Sequence, residues 1–166
     1  MKTSSFLRTL AFSAMIIIGL GLSAQNPQYE GVGPVVCGSV QKSQLPEKAQ
    51  KFVAKHFKNA EIASVQKEFS DGDYDVVLSD GTQVDFTAKG EFKDVEAAKG
   101  KSLDVAVVKS IVPGKTFKEL TKRELTNKVE SIEKTRKGYS IDFNHKKIDS
   151  INFDNEGVLI VVEYED

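Results

Sequence analysis

The chain has 166 residues, 23 Lys and Arg against 24 Asp and Glu, a formal net charge of −1, and one cysteine. That balance gives no electrostatic case for a nucleic acid or an anionic lipid surface as partner, and a lone cysteine excludes an intramolecular disulfide. The fold must be held by its apolar core.

In chain order, the first element is a targeting segment. Lys2 and Arg8 precede the apolar run Leu10–Leu22, which is too short to span a hydrocarbon core as a helix. It ends in Leu22-Ser23-Ala24, the small-residue pattern of a signal-peptide cleavage site. The expectation is a signal peptide over 1–24 and a periplasmic or secreted chain cleaved near Ala24, with no stable membrane insertion afterwards. Without Lys2 and Arg8 the formal charge moves from −1 to −3. Cys37 lies beyond the apolar run and follows Val36, so a lipid anchor is not expected.

Residues 25–43, with three glycines and two prolines, read as an irregular leader. From Leu45 the period becomes helical: Ala49, Phe52, Val53, His56 and Phe57 share one stripe, with Pro46 in the first turn and Ser43 or Gln44 near the cap. After Asn59 the period becomes two. Glu61–Phe69 sets Ala63, Val65, Lys67 and Phe69 on one side. Tyr74, Val76 and Leu78 oppose Asp75 and Val77; Val84 and Phe86 oppose Gln83 and Asp85; Phe92 and Val95 follow. Asp80-Gly81 between alternating runs is a strong hairpin signal, because glycine accepts positive φ without a Cβ clash.

The second half repeats this plan. A shift of 67 residues aligns Leu45-Pro46 with Val112-Pro113, Val65 with Ile132, Val84 with Ile151, Phe86 with Phe153 and Gly90 with Gly157; Tyr74 meets Tyr139 at 65. The repeat's Asp-Gly turn has become His145-Lys146-Lys147. Its helix has two candidate positions, Ser102–Val112 or the stripe of Phe117, Leu120, Glu124 and Leu125. Val158–Tyr164 is apolar on both faces, which fits a strand buried on both sides and also fits an exposed docking edge.

The Leu45-Pro46 helix ending near Phe57-Lys58-Asn59-Ala60, the strand with Val65-Gln66-Lys67-Glu68, and Tyr74–Glu96 resemble the PepSY-like domains described as beta-lactamase-inhibitor-protein-like. The resemblance covers nearly all of Leu45–Glu163 as two tandem copies, 44–98 and a degenerate 99–166. It implies an α+β fold: tandem repeats of a helix plus a four-stranded antiparallel sheet, forming one larger curved sheet with helices on one face. It also implies a binding or inhibitory module, because in beta-lactamase inhibitor protein the comparable sheet surface grips an enzyme. The polar partners of each alternation would form the open face and the partner surface: Asp75, Val77, Gln83 and Asp85 in the first copy, Ser140, Asp142, Ser150 and Asn152 in the second.

Tests for chemistry point to no enzyme. An EF-hand loop from Asp71 would need glycine where Val76 stands and glutamate where Thr82 stands. His56, His145 and Cys37 are spread over a helix, a turn and the leader, which forms neither a zinc site nor a nucleophile pair. Asp73/Asp75 and Asp154/Glu156 read as solvated strand surface, and Gly31-Val32-Gly33 precedes no strand-to-helix unit. No catalytic residue, cofactor or metal is therefore expected. The expected function is non-enzymatic binding of another protein, with inhibition of an extracytoplasmic peptidase or other hydrolase as one form of it; a small-ligand or metal-ion binder of the cell envelope is the alternative.

Overall fold

The computed structural model describes residues 37–165; the signal segment over 1–24 and most of the leader lie outside them. The elements run β1 (Cys37–Val40), a 3-10 turn (Lys42–Gln44), α1 (Glu47–His56), β2 (Ile62–Glu68), β3 (Tyr74–Leu78), β4 (Gln83–Phe86) and β5 (Phe92–Glu96). Then come α2 (Val105–Ile111), α3 (Gly114–Lys122), β6 (Val129–Lys134), β7 (Gly138–Phe143), β8 (Ile148–Asp154) and β9 (Leu159–Tyr164). The nine strands make a single antiparallel sheet whose spatial order is the chain order. Among the described residues no helix is long and apolar enough to cross a membrane.

α1 starts immediately after Pro46, which sits at the cap with φ −53°. Proline is pre-set for that place and has no N–H to leave unpaired. Ser43 and Gln44, expected near the cap, instead form the preceding 3-10 turn, where the Gln44 side chain accepts from the Gln41 N–H at 2.9 Å. Ala49 and Val53 are buried, and Phe52 stacks on Phe92 at 4.7 Å and meets Phe86 edge-on at 5.6 Å. These contacts seat α1 over β4 and β5. Both candidate positions for the later helix are helical: α2 is capped by Asp104, whose Oδ1 accepts from the Ala106 N–H at 2.6 Å, and α3 follows Pro113 as α1 follows Pro46. Helix residues Ala49, Val53, Val108 and Leu120 share one core with the inward strand residues, among them Val65, Val84, Phe86, Ile132, Ile151 and Phe153.

The two halves join edge to edge where β5 pairs with β6, Val95 lying opposite Ile132. Register breaks fall between Ile62 and Ser64 and between Val129 and Ser131, and again between Asp85 and Phe86 and between Asn152 and Phe153. Each pair is 67 residues apart, while a fifth break, between Ile148 and Ser150, has no counterpart in the first half. Gly90 and Gly157 have φ +75° and +79°, and a Cβ on either would stand within 3 Å of a proline Cβ, that of Pro46 or Pro113 respectively. Only glycine lets each helix start sit this close to the hairpin beneath it.

Three expectations need correction. The leader is not irregular throughout: Cys37–Val40 adds a strand to β2, with Val40 opposite Val65. Four residues are too few to show a period. Phe69 does not face inward with Val65; it is 67% exposed, because β2 ends at Glu68 before reaching it, and the bulge between Ile62 and Ser64 likewise leaves Ala63 exposed. Val158–Tyr164 is not buried on both sides: β9 is an edge strand, with Ile160 57% and Val161 41% exposed.

Candidate functional site

All three helices pack against the same face of the sheet, and among the described residues no helix lies on the other, although Asp75 and Ser150 there are only 8% and 6% exposed. Strand alternation places all eight candidate surface residues on that open face, and the register arranges them in two rows running across the strands. One row reads Gln66, Asp75, Asp85, Asp94, Glu133, Ser140, Asn152 and Val161, each directly opposite the next. The adjacent row reads Ser64, Val77, Gln83, Glu96, Ser131, Asp142, Ser150 and Glu163.

Sequence reasoning missed the middle of both rows, Asp94 and Glu133 in the first and Glu96 and Ser131 in the second. The alternation of Asp94 and Glu96 about the inward Val95 was a local signal for two of them. The pairing of β5 with β6 was not, since α2 and α3 lie between them in sequence.

The result is an acidic ladder. Asp75, Asp85, Asp94 and Glu133 are consecutive cross-strand neighbours, whose Cβ atoms in such pairs stand about 5 Å apart. Like charges at this spacing repel, and the site is partly withdrawn from water. Asp75 is only 8% exposed. Among the described residues, no hydrogen bond or ion pair reaches the carboxylates of Asp75, Asp85 or Asp94. Burial, then the neighbouring Asp75 charge, pushes Asp85 up to about 7, although Lys93 pulls the other way. Burial, then the charges of Asp85, Glu133, Glu96 and Asp142, pushes Asp94 up to about 8.

At the margin of the ladder the charges are better served. Lys93 ion-pairs with Asp73, whose other oxygen accepts from the Ala88 N–H at 2.8 Å. In the second row Ser131 donates to Asp142 Oδ2 at 2.8 Å, while Asp142 Oδ1 is buried without a partner among the described residues. Burial raises the Asp142 pKa, and the Ser131 hydrogen bond opposes that rise.

The histidines take structural places. His56 Nδ1 meets Ser110 Oγ at 2.6 Å and its ring lies 4.3 Å from that of Phe52, joining α1 to α2; burial lowers its pKa. His145 Nδ1 accepts from the Lys147 and Ile148 N–H groups at 3.2 and 3.1 Å. Asp80 Oδ1 does the same for the Thr82 N–H, at 2.9 Å, in the matching turn. Among the described residues no group of three or more His, Cys, Asp or Glu side chains is set to hold a metal ion. Cys37 falls in β1, and its side chain lies outside the described residues.

Comparison with known proteins bears on the fold and the family. The family model described as beta-lactamase-inhibitor-like, PepSY-like matches residues 72–161, more than half of the chain, a range that includes the 98/99 boundary between the halves. No curated protein matches. Among solved structures, a Bacteroides thetaiotaomicron periplasmic protein whose given name calls it calcium-regulated is 27% identical, with a TM-score of 0.64 over 76% of this chain and 96% of that one. A periplasmic protein of unknown function from Bacteroides vulgatus is 26% identical, with a TM-score of 0.62 over 76% of this chain and 98% of the other. A second B. vulgatus periplasmic protein, from the DUF2874 family, is 25% identical, with a TM-score of 0.63 over 79% and 99%.

Proposed function

The chain belongs to the PepSY-like, beta-lactamase-inhibitor-like family, and from that premise we propose that it is an exported, non-enzymatic module that binds another protein through the open face of its sheet. The observation that carries this reading is the uncovered face itself. Sheets in water bury one side and solvate the other, but this outer side holds a row of closely set, partly desolvated acids instead of a mixed, well-solvated surface. Such an arrangement lowers stability, and a bound partner is what would offset it. Periplasmic localisation is supported by the Bacteroides structures, all named as periplasmic, and by the signal-peptide pattern ending at Ala24. The reading of the chain as two tandem copies is supported by the bulges and turn glycines that recur 67 residues apart. Inhibition of an extracytoplasmic peptidase or other hydrolase is one form that binding could take.

Affinity capture from periplasmic extract tests the reading. The wild-type chain should retain a protein that Asp75→Lys/Asp85→Lys releases; equal capture by both would reject the open face as the binding surface. A second reading, binding of a small ligand or metal ion, rests on the calcium-regulated name of the B. thetaiotaomicron protein. Native mass spectrometry that retained one calcium ion per chain, with no protein captured, would replace the first reading by the second.

A further inference from the structure

Resting on that reading, we propose that the ladder of Asp75, Asp85, Asp94 and Glu133 receives basic side chains, arginine before lysine, from an extended segment of the partner protein. Charge complementarity identifies the occupant. Three adjacent carboxylates have no hydrogen bond or ion pair among the described residues, and in the adjacent row Asp142 Oδ1 is buried without one. A buried acceptor without a donor costs free energy until a donor arrives. The protein already shows the chemistry at the ladder's margin, where the Lys93 ammonium is bound by Asp73.

Size and shape narrow the ligand. Four positions on adjacent strands cover about 14 Å at the spacing of strands in a sheet, which is room for two side chains and not for a compact ion alone. The acids stand in a line without closing around a point, in keeping with the absence of a metal-holding group among the described residues. A guanidinium is planar and can bridge two carboxylates at once, which a compact ammonium does less well.

Binding is then linked to protons. Asp85 is faced by Asp75 on β3, Glu68 on β2, and Lys93 and Glu96 on β5. Asp94 is faced by Asp85 on β4, Glu96 on its own strand, Glu133 on β6 and Asp142 on β7. Only Lys93 among these is basic, so near neutral pH Asp85 and Asp94 lower their repulsion by holding protons. An incoming guanidinium favours the ionised acids and displaces those protons, so affinity rises with pH.

The test uses the purified full chain and a capped peptide carrying arginine at alternate positions, with its citrulline counterpart as the uncharged control. Titration calorimetry should show binding at least about tenfold tighter at pH 8.5 than at pH 6, with protons released in buffers of different ionisation enthalpy. The citrulline peptide should not bind. Asp85→Asn/Asp94→Asn should lose at least about tenfold in affinity and most of the pH dependence, while Glu156→Gln/Glu165→Gln, which removes the same charge elsewhere, should lose neither. Equal binding of the citrulline peptide, an unaffected Asp85→Asn/Asp94→Asn variant, or calcium that binds the ladder and displaces the peptide would each overturn the proposal. If a partner captured through the open face binds Asp85→Asn/Asp94→Asn as tightly as wild type, the protein-binding reading stands and the basic-segment proposal falls. If no partner depends on the open face at all, both fall.

Discussion

Asp85 and Asp94 reverse the usual relation between carboxylates and acid. Their folded pKa values, about 7 and about 8, lie above the ordinary value of 3.8, so between roughly pH 4 and pH 8 the folded chain holds more protons than the unfolded one. Stability therefore falls as pH rises through this window and levels off above it. Chemical denaturation should find the protein more stable at pH 5.5 than at pH 8.5. Asp85→Asn/Asp94→Asn should flatten that dependence and stabilise the protein at pH 8.5 by on the order of 2 kcal/mol, since one pKa unit corresponds to about 1.4 kcal/mol and the coupled acids share their repulsion. A wild-type midpoint that is flat or rises over this range would contradict the acidic ladder.

His145 carries a different lesson at the same scale. Its ring nitrogen holds the turn that Asp80 holds in the first half, so the lost Asp-Gly signal was replaced by another acceptor with the same task. His145→Ala should cost about 1 kcal/mol by leaving two turn N–H groups without their acceptor, whereas His145→Asp should stay within about 0.5 kcal/mol of wild type. Thermal unfolding of the two variants at one pH distinguishes an acceptor role from simple packing, which both substitutions would disturb.

At the scale of elements, the hairpin glycines lock helices to strands. Gly157 has φ +79°, and a Cβ there would lie 2.8 Å from Thr116 Oγ1, 2.9 Å from Pro113 Cβ and 3.0 Å from the Thr116 backbone nitrogen. Gly157→Ala should destabilise by about 2 kcal/mol or more, combining a left-handed backbone with overpacking against α3. Gly100, at φ +74° but with nothing within 4 Å, supplies the control. Gly100→Ala should cost about 1 kcal/mol from the backbone alone; equal losses at both sites, read by chemical denaturation, would show that the helix start is not pinned.

Elements with two or more turns of a clear period were legible in the sequence: α1 from its apolar stripe, and β3 and β4 from strict alternation around Asp80-Gly81. All eight candidate surface residues lie on the open face for the same reason, since a period of two assigns each side chain to a side. What failed was whatever depends on neighbours in space. β1 is too short to show a period. Phe69 sits past the end of β2. In β9, apolar residues on both faces fit an interior strand, and only the strand order makes it an edge with Ile160 in water. Asp94 and Glu133 become a pair only because β5 and β6 meet.

At the scale of the whole molecule, the open face is a product of the join between halves. Asp75, Asp85 and Asp94 arrive from the first half and Glu133 from the second, and the β5–β6 pairing completes the row. The connection from Glu96 to Val129 runs through both α2 and α3, so the seam depends on those helices packing on the far face. A surface assembled this way exists only when the entire sheet has formed.

The sequential strand order also decides how the chain answers to force. Among the described residues β1 and β9 lie at opposite edges, each hydrogen-bonded to a single neighbour, so a pull applied at Cys37 and Tyr164 loads the outermost ladder a few bonds at a time and not all of its bonds in shear. Strands peel off from both sides, and each departure turns the next strand into the new edge. The sheet yields as a zipper from its rims inward, and the acidic row at its centre is the last part to come apart.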